Sequence, residues 1–322
     1  ALTGGSIVNG YGADVRTKDG RAEENAVTIS GGNATGSVYG AALTAAGATG
    51  EATKNSVTVS GGSVTGDVVG GALTQADAAG NATGNTAAIS AGTVGGTVYG
   101  GKNAGTGAAT GNKVTVTGGT LHDIYGGHTA SGATTGNVVN LGTATDAIAA
   151  GTTVGNIYGG NQTAVTGNEL NVYDSVTAAN VDKFEKVNFN VTSNVATGDT
   201  LLTLSNGAAS HIDWKKMTLN NLNALIPSNT TGHLLTLVNS ANNMAFDNYT
   251  DVGAIERHHD GDYEYVIDTD THSGSAKKVD VTGYRFQNNT TTYAGGTATD
   301  AWGGRSIIGN NVQKFTLPAK KR

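Results

Sequence analysis

A chain of 322 residues with 50 Gly, 2 Pro, no Cys and only 6% aromatic residues does not have an ordinary globular composition. Gly without a strict three-residue period excludes collagen, and the Val, Ile, Thr and Tyr interleaved with it argue against disorder. The net charge of −6 leaves no basic footprint for nucleic acid, and no apolar run approaches the roughly 18 residues of a membrane span.

The chain opens on Ala1-Leu2-Thr3-Gly4-Gly5, with no signal peptide in view, so an exported form would be the mature part of something longer. A Cys-free chain of this length suits a large surface protein that crosses an envelope unfolded, and a reduced compartment equally well. From Tyr11 onward one phrase recurs. It reads Asn55-Ser-Val-Thr-Val-Ser-Gly61-Gly62 and then, after Asp67, Val68-Val69-Gly70-Gly71. It returns as Asn112-Lys-Val-Thr-Val-Thr-Gly118-Gly119, with Ile124-Tyr125-Gly126-Gly127 behind it. The aromatic position falls at Tyr11, Tyr39, Val69, Tyr99, Tyr125 and Tyr158, at spacings of 28, 30, 30, 26 and 33. The leading Asn25, Asn55, Asn85 and Asn112 each stand seven residues before the second Gly of the first Gly step. At Asn137 that distance is 14, an insertion near Thr143 to Ala149.

Fixed offsets within a phrase and variable lengths between phrases predict stacked coils: an all-β β-solenoid, a right-handed parallel β-helix with irregular coils of 26–33 residues. In one coil, period-2 alternation sends Val57 and Val59 inward and Thr58 and Ser60 outward. Gly61-Gly62 turns a corner, a second strand ends at a second Gly-Gly corner, and the Ala/Gly/Thr-rich remainder forms a variable edge. Equivalent residues then stack at about 4.8 Å, so Asn25, Asn55, Asn85 and Asn112 form an amide ladder, and Tyr39, Tyr99, Tyr125 and Tyr158 an aromatic one. Both columns read as structural rather than ligand-binding, because Val69 replaces one Tyr.

After Asn168 the phrase stops. Residues 169–287 read as a non-repetitive β-rich interval with longer amphipathic strands, one or two short helices around Trp214 to Leu225, and an Asp-Gly hairpin after Glu256. Asn289 to Gly304 repeats the seven-residue offset, with Trp302 in the Tyr position. The expected organisation is therefore 1–168 repetitive coils, 169–287 interval, and 288–322 a resumed coil with a basic end.

With its Gly-Gly-x-Val-x-Gly-x-Val-Tyr-Gly-Gly phrases and the interval Val181-Asp-Lys-Phe184-Glu-Lys-Val-Asn-Phe189, the chain resembles the Gly-rich passenger regions of large Gram-negative autotransporter adhesins. The membrane barrel of such proteins is missing from this sequence. The resemblance implies a secreted or surface-displayed solenoid.

Other chemistries have thinner signals. His258, Asp260 and Asp262 form the densest set of metal-ligand types, but neighbours along a strand face opposite ways, so a solvated hairpin is the competing reading. Asp268 and Asp270 lack the Gly-rich nonapeptide of calcium-binding coils. Asp67 and Asp123 share a column with Thr97 between them, roughly 10 Å apart, at the long limit for an inverting polysaccharide hydrolase. Thr28/Ser30, Thr58/Ser60, Ala88/Ser90 and Thr115/Thr117 make an outward Thr/Ser array that an ice-binding solenoid would use, interrupted at Ala88.

The function expected is a non-enzymatic adhesive or structural segment of an extracellular bacterial surface protein, with no cofactor. Its expected partners are further coils, in a head-to-tail stack from Leu2 and Thr3 at one end to Val312 and Phe315 at the other, or surface glycans or proteins.

Overall fold

The computed structural model describes residues 1–222, 231–249, 256–260, 263–271 and 273–288, with three short strands beyond at 292–293, 296–297 and 305–308. One coil shows how the sequence folds. Ser56–Val64, Val68–Leu73 and Ala82–Thr83 are its three strands, and Thr86–Val94, Val98–Asn103 and Ala109–Thr110 are those of the next. Each pairs in parallel with its counterpart, Val57 on Ala87, Val68 on Val98 and Ala82 on Ala109. The chain is thus an all-β parallel solenoid, its coils stacked into an 11-stranded, an 8-stranded and a 4-stranded sheet.

Alternation fixes what faces in. Val57, Val59, Val64 and Val68 are fully buried, while Thr58 and Ser60 point out. One inward column runs Ile29, Val59, Ile89, Val116, Leu141, Val172, Phe189, Leu219 by direct strand register. Each such aliphatic side chain contributes about 1.5–3 kcal/mol of burial.

The two Gly-Gly steps have different causes. At the first, Gly32, Gly62, Gly92 and Gly119 hold φ of 78°, 76°, 90° and 103°, a true corner. The second is not a corner, as the sequence suggested, because Val68–Leu73 runs straight through Gly70-Gly71. Here glycine supplies clearance: a Cβ on Gly70 would lie 2.3 Å from the Gly100 carbonyl oxygen, and one on Gly71 would lie 2.3 Å from Asn85 Oδ1. Nor is the Ala/Thr-rich remainder a loose edge. Ala22–Glu23, Ala52–Thr53, Ala82–Thr83 and Ala109–Thr110 stack as the third sheet over a second core of Ala41, Leu43, Ala48, Leu73 and Ala78.

The phrase stops at Asn168, but the coils do not. Glu169–Val172, Lys186–Asn190 and Met217–Asn220 continue the first sheet in parallel, because their alternation (Leu170, Val172; Val187, Phe189; Met217, Leu219) survives the loss of the glycines. Of the one or two short helices expected around Trp214 to Leu225, one is a 3-10 turn, Trp214–Lys216; Leu222 is helical, and 223–230 lie outside the described residues. Gly232–Asp247 then pairs in parallel with Thr200–Leu204 and His211–Asp213, and antiparallel with Ser275–Asn288. Tyr263–Thr269 and Glu256–Asp260 extend that antiparallel sheet. In 288–322 the described strands also pair antiparallel, Arg305–Ile308 on Arg285–Asn288 and Thr292–Tyr293 on Gly296–Thr297. Trp302, Val312 and Phe315 lie outside the described residues.

Clearance at the second Gly step predicts that Gly70→Ala, although its φ is ordinary, lowers the thermal midpoint sharply. Gly4→Ala, whose Cβ would meet nothing within 4 Å, leaves it unchanged; far-UV circular dichroism melts of the two variants check the pair.

Candidate functional site

The polar inside of the solenoid is one continuous ladder. Asn55 Oδ1 accepts from the backbone N–H (3.0 Å) and the Nδ2 (2.9 Å) of Asn25. The same double bond repeats from Asn55 to Asn85, Asn85 to Asn112, Asn112 to Asn137 and Asn137 to Asn168. Each Nδ2 also donates to a carbonyl of the third sheet's column, that of Ala22 for Asn55 and of Ala52 for Asn85. Asn55, Asn85, Asn112, Asn137 and Asn168 are fully buried, so all of their amide chemistry is directed at neighbouring coils.

The outer wall of the second sheet carries the aromatic column. Tyr11 stacks on Tyr39 at 5.1 Å, Tyr99 on Tyr125 at 5.6 Å and Tyr125 on Tyr158 at 4.7 Å, with interplanar angles of 6°, 17° and 22°. Val69 lies between the two groups. The space of its missing ring is taken by Lys102 from the next coil, whose Nζ sits 4.4 Å from the Tyr99 centroid and 2.9 Å from Asp67 Oδ2. Burial works against that ammonium, but the Asp67 hydrogen bond and the neighbouring tyrosines hold its pKa above the usual lysine value. His128 packs edge-on to Tyr99 and Tyr125, and its Nδ1 is buried without a hydrogen-bond partner. Burial, then the Lys102 charge, push its pKa down, and burial with the adjacent Tyr158 and Tyr99 pushes Tyr125 up to about 12. Stacked rings offer their edges outward, so the wall is not an open aromatic platform.

Asp67 and Asp123 occupy a third ladder. Asp67 Oδ1 accepts from the Thr97 backbone N–H, and Asp123 Oδ1 from the N–H and Nδ2 of Asn156. Asn9 and Ser37 do the same for Ser37 and Asp67 above them. Both carboxylates thus cap the next coil. Half of the Thr/Ser array keeps register: Thr28, Thr58, Ala88 and Thr115 are direct partners, whereas Ser60 pairs with Ala91 across a bulge, and beyond Thr115 the Thr column turns to amides, Asn140, Asn171, Asn188, then Thr218. Those amides form a second, outward ladder that the sequence reading missed, Asn171 donating to Asn140 at 3.0 Å and Asn188 to Asn171 at 2.8 Å.

His258 and Asp260 lie on the strand Glu256–Asp260, opposite Tyr265 and Tyr263, and Asp262 is outside the described residues. Asp270 binds the backbone N–H groups of Lys277 and Lys278, closing a turn. Among the described residues no three His, Cys, Asp or Glu side chains converge as a metal site. Leu2 is bonded into the first coil, donating to Thr28 and accepting from Ser30, with Thr3 beside it against Gly31.

A shallow groove of about 520 Å³ gathers Phe184, Glu185, Asp213, Lys216, Asp247 and Asn248. Two of its three acids are tied down: Glu185 accepts from the Gly167 N–H and from Lys216, and Asp213 from Lys215 N–H and Asn248 Nδ2. Those Glu185 bonds, Gly167 first, hold its carboxyl below the ordinary value, whereas a glycosidic general acid needs a raised one. No protein-family profile, curated protein or solved structure matches the chain.

Two outcomes follow from this geometry. Asn85→Ala strands the Asn55 N–H and the Ala52 carbonyl, and at about 1–3 kcal/mol for each buried orphan it lowers the free energy of unfolding several-fold more than Asn33→Ala, measured in urea. A histidine whose folded pKa lies below its unfolded value takes up its proton more readily when unfolded. Its contribution to stability is present above about pH 6.5 and is lost as pH falls below that. Relative to His128→Phe, the native chain therefore loses stability from pH 7.5 to pH 5, read from paired melts.

Proposed function

We propose that this chain is a non-enzymatic structural and adhesive segment of a bacterial surface protein, displayed outside the cell as part of an autotransporter-like passenger. The observation that carries the reading is the destination of its polar groups. The buried amides, the Asp67/Asp123 column and the outward Asn column are all bonded along the coil axis, which makes a stiff wall of near-uniform repeats. Solenoids of this kind present long side walls rather than a pocket. The Gly-Gly-x-Val-x-Gly-x-Val-Tyr-Gly-Gly phrase adds the family resemblance. Its partners on this reading are neighbouring coils, of the same parent or of another copy, and surface glycans or proteins.

The test combines three measurements on the purified chain. Binding to immobilised bacterial and host glycans and to whole cells is expected to saturate. No reducing ends or unsaturated products should appear from the polysaccharides offered, and electron microscopy should show rods. Turnover of a polysaccharide, or compact particles with no binding to any surface, would sink the proposal.

A further inference from the structure

Val69 divides the tyrosine column into two isolated stacks, and the division has a chemical consequence. The phenols of Tyr11, Tyr39, Tyr125 and Tyr158 are at least partly exposed, and each of these rings lies within about one coil spacing of another ring that is nearly parallel to it. Tyr158 has a single aromatic neighbour, because the next coil offers Asp182 in its register. Tyr39 likewise has Tyr11 alone, because Val69 follows it. Tyr99 differs: it is 8% exposed, Lys102 lies over its ring and His128 abuts it edge-on. The chain has no Cys, so no disulfide can tie one coil to the next.

From this arrangement we infer that the column is a site of oxidative modification, in which the pairs Tyr125–Tyr158 and Tyr11–Tyr39 couple to dityrosine and staple adjacent coils. The oxidant is a peroxide acting through a haem peroxidase. Each phenol gives up one electron and its O–H proton, which together reduce one peroxide to two waters. The two phenoxyl radicals join through a new bond between their ortho carbons. The C–H bonds at those carbons then break as the rings enolise, restoring both O–H groups, so the chain loses two hydrogens for each link. Parallel register holds the paired rings together before oxidation, so coupling within one chain outruns coupling between chains.

The pairing also defines a specificity that general surface oxidation lacks. Tyr173 and Tyr249 are as accessible as Tyr158, but neither stacks on another tyrosine among the described residues.

The experiment treats the full chain, at low concentration, with hydrogen peroxide and a haem peroxidase. The products are read by dityrosine fluorescence, intact mass and mapping of linked peptides. The expected product is a monomer lighter by two hydrogens per link, with peptides joined Tyr125 to Tyr158 and Tyr11 to Tyr39, and a raised thermal midpoint. Tyr158→Phe keeps the ring and the stack, which circular dichroism verifies, yet removes the first linkage. Tyr173→Phe leaves both links in place. Covalent dimers as the main product, links distributed over Tyr173 and Tyr249, or no dityrosine at all would overturn the inference.

Discussion

The structure depends on a buried amide that bonds along the axis of the stack. At each corner an Asn side chain accepts twice from the coil before it and donates to a carbonyl of that coil, with no solvent to share the load. A buried amide left unpaired costs about 1–3 kcal/mol, so the chain tolerates Asn at this position only if every coil carries one in the same register. The ladder thereby fixes coil spacing and rotation together. It also dictates composition. The amide of Asn85 fills the place where a Cβ on Gly71 would stand, Asn112 does so for Gly101, and Asn137 for Gly127. At these three coils the second Gly is the counterpart of the next coil's Asn, whereas the same position holds Ala13 and Ala41 in the first two coils and Gly160, against Thr134, in a later one.

Where the ladder ends, the rules change without interrupting the stack. Asn168 closes it by donating to the Thr134 and Lys183 carbonyls, and no glycine pair follows until Gly295-Gly296. Coils beyond this point are held by wider apolar layers, with Phe189 where earlier coils have Val, Ile or Leu, and by Trp214 packed edge-on against Phe246. Polar bonding along the axis moves to the outer surface, into the Asn140, Asn171 and Asn188 column, where water also satisfies the amides and each bond contributes less. Gly232–Asp247 then makes the transition from parallel to antiparallel pairing within one strand, and the described path of that sheet finishes on Glu256–Asp260, a strand composed of charged and His residues that discourages strand addition.

Much of the coil was legible because period 2 is unambiguous: Val57 and Val59 could face only one way. The constant seven-residue offset placed Asn25, Asn55, Asn85 and Asn112; the ladder runs on through Asn137 and Asn168, which that offset does not mark, because the Thr143 to Ala149 insertion leaves the strand Val138–Leu141 in register. What the sequence did not reveal has physical reasons. A glycine required for clearance, Gly70, is indistinguishable in sequence from one required for positive φ, Gly62, so two kinds of Gly-Gly step looked alike. Two-residue strands such as Ala82–Thr83 are too short to show a period, which hid the third sheet. The outward Ser column failed because a bulge between Ile89 and Ala91 sets Ser60 opposite Ala91 in place of Ser90, the register returning by Thr93. Lys102 was invisible as a member of the tyrosine column because it reaches there from a different position of the next coil.

That last substitution shows how such a wall can vary. The Asn amides and the aliphatic columns lie inside the strand, while Val69, Lys102 and Asp67 lie on its outer face, so exchanging a Tyr ring for a Val and a paired charge leaves the ladder untouched: Asn55 to Asn85 and Asn85 to Asn112 keep the same bonds on either side of the exchange. Groups that share no partners contribute nearly independently to stability. The outer columns can therefore change charge and accessibility coil by coil at little thermodynamic cost, while the inner amide column cannot change without orphaning a neighbour. On the proposed adhesive reading, recognition belongs to the outer columns for this reason, and it takes the form of a line of side chains along the axis, set by the order of coils and not by any single one.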